Sequence, residues 1–386
     1  MNFGIVKENK RPYEIREYKR FDEKYTIFSR WVWDKDIIGF KEMKERREVR
    51  NIKRKMRGYS LKDYALQHAS WTVEDWLKGN TWYIESPYSV DFQKEHLNLS
   101  KFSNFRAENA KEMSKIIKRV AKFFGADLVG IAEIDERWIY SRYYERRTGN
   151  YKHKALKLPK EYKYGIVMAV EMDSKTIKTS PSCIASSATG LGYSKMSFLA
   201  TMLAEFIRYL GYKAIPHGND LSLSIPFAID AGLGQLGRNG LLITPWYGPN
   251  VRISKVFTDL PLKADEPIDF GVTEFCRVCL KCAMHCPSRA ISFDERSFDG
   301  VCISNNEGVL KWYVDAEKCF RFWALSGTDC SNCIRSCPFF KPKGLIHDLA
   351  RFFISNFPSS NSFFVKLDDL FGYGKAKNSE RFWEWD

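Results

Sequence analysis

Residues 276–287 read CRVCLKCAMHCP, four cysteines in twelve residues followed at once by a proline. Cys276, Cys279, Cys282 and Cys286 form C-x2-C-x2-C-x3-C, closed by Pro287. A second set follows: Cys319, Cys330, Cys333 and Cys337, closed by Pro338, spaced C-x10-C-x2-C-x3-C-P. Only Cys183 and Cys302 of the ten cysteines stand outside the two sets. A tight loop with thiols this close sets three sulfurs on three corners of one iron–sulfur cube. The cysteine before the proline points away and ligates the other cube. The spacing therefore predicts two [4Fe–4S] clusters. Cluster one takes Cys276, Cys279, Cys282 and Cys337, and cluster two takes Cys319, Cys330, Cys333 and Cys286. Disulfides do not suit a long chain without an export signal, and zinc sites use two separated cysteine pairs. The long gap in the second set, FRFWALSGTD (residues 320–329), leaves room for a loop between the first two ligands of cluster two.

Outward from the cysteines, the bulk composition sets broad limits. The chain has 386 residues, 44% hydrophobic and 28% charged, which is a globular composition with room for two or three cooperating units. No apolar run reaches membrane-spanning length. The opening residues have no apolar stretch after their charges, so the expectation is a cytoplasmic protein, or an exported one whose twin-arginine leader has been removed. The net charge is +14. Its densest run, KEMKERREVRNIKRKMR (residues 41–57), reads as a helix with a solvated face, or as a docking patch for an acidic or membrane-associated electron donor. Five of the eleven tryptophans fall between Trp31 and Trp82, as core packing or as the wall of an apolar pocket.

Before the cysteines, apolar residues at helical spacing predict a helix over residues 106–124, stopped by Gly125. A second helix is predicted over residues 194–210, stopped by Gly211. DLVGIAEI (127–134), YGIVMAVEM (164–172), YKAIP (212–216) and RISKVFT (252–258) read as strands. The stretch 138–163, basic and tyrosine-rich, reads as an insertion. Helices and strands alternate, which predicts a layered α/β or α+β core. GLGQLG (232–237) matches the dinucleotide fingerprint G-x-G-x-x-G, but the flanks are reversed: SIPFAIDA before it looks helical and NGLLIT after it looks like a strand. A loop that lets backbone approach a bulky ligand fits better.

The two cube motifs are preceded by IPHGNDLSLSIPFAIDAGLGQLGRNGLLITPWYGPNVRISKVFTDLPL (215–262). Together with EIREYKRFDEKYTIFSR (14–30), they resemble the corrinoid iron–sulfur reductive dehalogenases. The resemblance implies an α+β fold: a nitroreductase-like, cobalamin-binding core with a C-terminal domain like a bacterial two-cluster ferredoxin. It implies a base-off cobalamin without a protein histidine ligand, in keeping with the absence of D-x-H-x-x-G. By motif and spacing it assigns the proton donor to Tyr193, supported by Asn219 and Arg252, with Lys195 as a possible extra cation. A phenol ionises near 10 in water and is a weak acid; a nearby guanidinium stabilises the phenolate and strengthens it. Thr189, one turn before Tyr193, is a candidate for the pocket wall. Gly218, Gly232, Gly234 and Gly237 are the candidate cofactor-binding glycines. The family's partners are an organohalide substrate, a low-potential electron donor and a membrane anchor subunit; no nucleic acid is expected.

The expected organisation is an aromatic-rich unit over residues 1–105, the core over 106–270 with its insertion at 135–163, the two-cluster domain over 271–345, and an extension over 346–386. Two other functions fit the cysteines. One is an epoxyqueuosine reductase-like corrinoid enzyme acting on tRNA, favoured by basic charge. That family tends to carry helical repeats beyond its clusters, which LIHDLARFFISNF (345–357) and the aromatic tail do not resemble. The other is an iron–sulfur electron carrier without catalysis, which predicts iron without cobalt.

Overall fold

The computed structural model describes residues 4–5, 13–37, 47–77, 107–144, 154–342 and 344–384. Four strands make the central sheet: β1 (Leu128–Glu133), β2 (Tyr164–Glu171), β3 (Ala214–His217) and β4 (Val251–Thr258). They run antiparallel in the order β1-β2-β4-β3. Ile166 at the middle of β2 stands opposite Ile131 on one side and Val256 on the other, and all three are fully buried. Both faces of β2 are covered. Ile166, Met168 and Val170 pack with one set of helices, and Val167 and Ala169 with residues of the opposite layer. That double burial is why the strand is apolar throughout instead of alternating.

Helices α1 (Leu61–Leu77), α2 (Ala110–Phe123), α3 (Cys183–Tyr209) and α4 (Ser224–Asp230) complete the core. The Asn109 side chain caps α2 by accepting from the Glu112 N–H. Met113, Ile117 and Ala121 then face the sheet at helical spacing. The segment SIPFAIDA is helical, as read, and forms α4. A Cβ on Gly130 of β1 would stand 2.1 Å from the Ala231 carbonyl, so only glycine lets the end of α4 lie this close to the sheet.

Two expectations are corrected. The second helix begins at Cys183, not at residue 194, with the Ser182 hydroxyl accepting from the Ala185 N–H at its cap. CIASSATGLG is poor in strong helix formers and holds two glycines, so its propensity points away from helix. Packing overrides that: nearly every residue of this first half is buried, and the small side chains let neighbours approach. The other correction concerns residues 320–329, most of which are helical and not loop. Helix Ala316–Ser326 is capped by the Asp315 side chain, buries Phe320 and Ala324 one turn apart, and stops at Gly327 in the left-handed conformation.

The stretch 138–163 opens with Trp138 and Ile139 buried in the core. Arg142–Tyr143 then pairs with Lys154–Ala155, which brings its two arms together. Residues 145–153 between those arms, and 41–46 of the basic run, lie outside the described residues; the rest of that run includes the helix Arg47–Lys53.

After β4 the chain is mostly short helices: α5 (Val272–Cys279), α6 (Lys281–Met284), α7 (Ala316–Ser326), α8 (Asn332–Arg335), α9 (Leu345–Asn356) and α10 (Asn361–Leu370). Phe270, Phe275, Phe339 and Phe340 join Ile243, Ile334 and Ile354 in one buried cluster that fastens this lobe to the core. Phe275 meets Phe339 edge to face, with ring centroids 5.2 Å apart. On the far side, the fully buried Lys281 of α6 pairs with Asp368 and Asp369 of α10. The whole is a mixed helix-and-sheet protein with a ferredoxin-like C-terminal lobe. Among the described residues no helix is long and apolar enough to cross a membrane.

Candidate active site and metal centres

Cys276 and Cys279 ride on α5 and Cys282 on α6. Between the two helices Leu280 adopts φ 52°, a left-handed conformation uncommon for a branched residue. It turns the chain so that the three thiols face a common point. Cys337, from the second motif, meets them there: Cys276, Cys279, Cys282 and Cys337 line one small cavity with Phe275, Leu280 and Pro338, and Cys286 is not part of it. Cys319, Cys330 and Cys333 form the other group with Cys286, whose Sγ accepts from the Ala290 N–H at 3.3 Å.

Burial pushes these thiols up, Cys276 and Cys330 to about 11 and Cys279 and Cys333 to about 12, and it raises Cys282, Cys319 and Cys337 as well. For Cys282 and Cys319 the neighbouring charge that adds to the rise comes chiefly from the same group: Cys276 and Cys337 act on Cys282, and Cys333, Cys330 and Cys286 act on Cys319. Buried in this way the thiols stay protonated on their own; to become thiolate ligands they need cationic centres to stand against, and iron would supply them. Among the described residues no group of three or more His, Cys, Asp or Glu is gathered as a single-ion site. The ten cysteines are all free of disulfides.

The second constellation is assembled from four separate segments. Tyr193 lies on α3, one turn past Thr189. Its ring stacks on Trp71 of α1, with centroids 4.9 Å apart and planes at 25°. Gly190 makes room, because a Cβ there would stand 2.6 Å from the Trp71 ring. Arg252 projects from β4 and places its guanidinium carbon 5.0 Å from the centroid of the Tyr193 ring. Its Nη2 donates to Thr189 Oγ1 at 3.4 Å, and its Nε is buried without an acceptor. Asn219, in the turn after β3, donates from Nδ2 to the Tyr193 hydroxyl at 3.3 Å. The structure thus brings Tyr193, Asn219, Arg252 and Thr189 to one place. Lys195 is exposed on α3 and takes no part in these contacts.

Residues not singled out from the sequence complete this network. The Asn219 Oδ1 accepts from the Ser224 hydroxyl at 2.6 Å, and the Ser224 Oγ accepts from Lys255 Nζ at 2.6 Å. Lys255 is fully buried in β4; burial lowers its ammonium to about 7, with Asp220 opposing. His217 beside it is lowered well below the usual histidine range, by burial first and then by Lys255. Asp329, the residue before Cys330, is raised to about 6 by burial, against the opposing pull of Arg252 and hydrogen bonds to Ser186 and Thr189. The signal for Lys255 is in RISKVFT, where a lysine sits at a core position of an apolar strand. Nothing comparable marks Asp329 or Ser224.

Next to this network lies a cavity of about 420 Å³, lined by Trp138, Asn219, Ser224, Gly240, Lys311 and Trp312 among others. It falls in the size range of small-molecule and cofactor sites. Two features call for an occupant with acceptors or negative charge. The Trp138 Nε1 is buried without an acceptor. Lys311, 4.6 Å above the Tyr313 ring, is lowered to about 8 by burial. Of the predicted glycines, Gly218 lies in the network: its carbonyl accepts from Lys255. Gly232 and Gly234 instead face the chain itself, where a Cβ would stand 2.5 Å from the Glu266 carbonyl and 2.1 Å from the Ile243 carbonyl. Gly237 faces the Ile243 side chain in the same way, and none of these three lines the cavity.

Comparison with known proteins bears on the cluster lobe and on the fold. Residues 275–340 match the 4Fe-4S dicluster domain family, so the lobe carries two [4Fe–4S] clusters. The chain is 39% identical over 300 residues to a tetrachloroethene reductive dehalogenase of Sulfurospirillum multivorans, across 71% of this chain and 59% of that one. It is 40% identical over 312 residues to a tetrachloroethene reductive dehalogenase of Desulfitobacterium hafniense, across 72% of this chain and 56% of that one. It therefore spans little more than half the length of these relatives. A solved reductive dehalogenase, described as B12-dependent, superposes on all of this chain and half of its own, with a TM-score of 0.76 and 23% identity. That likeness shows the fold.

Proposed function

We propose that this chain, a homologue of the reductive dehalogenases over about seven-tenths of its length, is itself a corrinoid-dependent reductive dehalogenase. The observation that carries the proposal is Tyr193, a phenol hydrogen-bonded by Asn219 and faced by the Arg252 guanidinium, with Asn219 also lining a cavity beside the cluster lobe. Overall the reaction takes an organohalide, two electrons and a proton to the dehalogenated product and halide. A low-potential donor supplies the electrons through the two clusters. When bound, a corrinoid supplies a cobalt centre reducing enough to break a carbon–halogen bond.

The residues fit such a cofactor. Trp138 and Lys311 would offer donors to the amide carbonyls and phosphate of a corrinoid, and Gly240 and Trp312 would add wall. A nitroreductase-like core is part of the same proposal, supported by the antiparallel sheet with α2 and α3 on one face and α4 on the other.

The protein's own part is proton delivery. The Tyr193 hydroxyl gives its proton to the carbon as halide leaves. Asn219 donates to the oxygen, and the Arg252 charge stabilises the phenolate that remains. Trp71, stacked on the ring, fixes its orientation.

The test is halide release from an organohalide by the anaerobic, cobalamin-loaded protein, with reduced viologen as electron source. Tyr193→Phe is expected to lower the rate by about 100-fold or more with iron and cobalt contents unchanged. A wild-type rate in that variant removes Tyr193 as the acid. Iron without cobalt after reconstitution removes the corrinoid enzyme altogether.

A further inference from the structure

A lysine in the middle of a core strand is costly, because its charge leaves water. Lys255 is such a residue, and a methionine would fill similar space without that cost. Its ammonium donates to the Gly218 carbonyl and to the Ser224 Oγ. What it receives from the fold is a fixed place; what it imposes is a direction.

A lysine ammonium has three donors and no acceptor. Where Lys255 carries its proton, the Ser224 oxygen therefore accepts from it, and the Ser224 proton is left to point at Asn219. The atom of Asn219 that receives this proton must be its oxygen, so the amide NH2 is turned to Tyr193. The Tyr193 oxygen accepts from that NH2. Its own proton is then not spent on Asn219. Each direction follows from the one before, and the chain starts at Lys255.

Without the lysine the order can reverse. The Ser224 hydroxyl has a second acceptor, the Gly218 carbonyl, at 3.4 Å. If it turns there, the Asn219 amide is free to flip and present its oxygen to Tyr193, and the phenol proton becomes a hydrogen bond to Asn219 instead of a proton for substrate. We propose that Lys255 and Ser224 are positioning residues: they fix the polarity of the hydrogen-bond chain Lys255–Ser224–Asn219–Tyr193 and so keep the phenol proton available for transfer. The proposal rests on Tyr193 being the proton donor.

The experiment uses the cluster- and cobalamin-loaded protein and measures kcat and KM for halide release in Lys255→Met, Ser224→Ala, Ser224→Thr, Tyr193→Phe and the double variant Lys255→Met/Tyr193→Phe. Lys255→Met and Ser224→Ala are expected to lower kcat tenfold or more, with KM within twofold and iron and cobalt contents unchanged. Ser224→Thr, which keeps the hydroxyl, is expected to recover most of what Ser224→Ala loses. The double variant is expected to be no slower than Tyr193→Phe alone, since the chain acts only through the phenol. Wild-type kcat in Ser224→Ala overturns the proposal even if Lys255→Met fails to fold. So does a double variant whose loss is the product of the two single losses. If Tyr193→Phe is slow while Lys255→Met and Ser224→Ala are not, the positioning role falls and the proton donor stands. If Tyr193→Phe keeps the wild-type rate, the proton donor falls and the positioning role falls with it.

Discussion

Cys337 belongs by sequence to the second motif and by geometry to the first cavity, 61 positions after Cys276 in the chain. Substituting it is a sharp test of the ligand exchange. Cys337→Ser is expected to cost cluster one and spare cluster two, so that iron falls from about eight per chain toward about four. Iron analysis and electron paramagnetic resonance of the reduced protein check this. Loss of the cluster held by Cys319, Cys330 and Cys333 instead would reverse the assignment. The eight proposed ligands could be picked out in the sequence because cube ligation is set by local spacing and by the proline that follows each last cysteine. Tyr193, Asn219 and Arg252 were legible only through resemblance. No spacing rule relates residues 193, 219 and 252, and their meeting depends on the turn after β3 and on α3 lying beside β4.

At the scale of elements, α3 shows how packing outweighs propensity. Its first half would be judged a poor helix alone. In place, Gly190 lets the Trp71 indole lie against the helix, and Gly192 admits Arg252, whose Cγ would be 3.0 Å from an added Cβ. Gly190→Ala raises intrinsic helix propensity by roughly 1 kcal/mol yet is expected to destabilise the protein, because overpacking costs about 1–3 kcal/mol. Thermal unfolding reads the sign. An increase in Tm would mean that Trp71 moves aside easily, and halide release would then show whether Tyr193 moves with it. The strands posed no such conflict. Their β-branched and apolar runs agreed with their burial on both faces, and they stand where the sequence puts them. Helix α7 did conflict: residues 320–329 looked like slack between ligands, but Phe320 and Ala324 have a core to enter, and that makes them helical.

For the molecule as a whole, two lysines drawn from water, Lys255 fully and Lys311 in part, shape the response to pH. Lys255 is lowered to about 7 and Lys311 to about 8, both from an ordinary value of 10.5, and burial is the cause. A depressed lysine means that the unfolded chain binds the extra proton between the folded value and 10.5. Stability from these groups therefore rises with pH across that window, and the cost of burial is felt in full below about pH 7. With clusters intact and no corrinoid bound, the protein is expected to melt higher at pH 9 than at pH 7. Lys311→Met is expected to raise Tm at pH 7 and to narrow the difference between the two pH values. An unchanged pH dependence in that variant would show that Lys311 reaches water in the cofactor-free protein. The +14 net charge indicates none of this, since it counts all lysines alike.

The amino-acid sequence by itself determined the two clusters and the strands of the sheet. These rest on short-range rules: ligand spacing, apolar periodicity and stop signals act within a few residues and need no partner to be recognised. Tertiary structure alone decided that Trp71 would back Tyr193, that glycines 232, 234 and 237 would pack against the chain itself, and that a lysine would sit buried behind Ser224. A hydrogen-bond chain from β4 through α4 and a turn to α3 has no local signature. It exists because the sheet and its helices bring four distant segments within a few ångströms, where each polar group, shut off from water, must take the partner the fold provides.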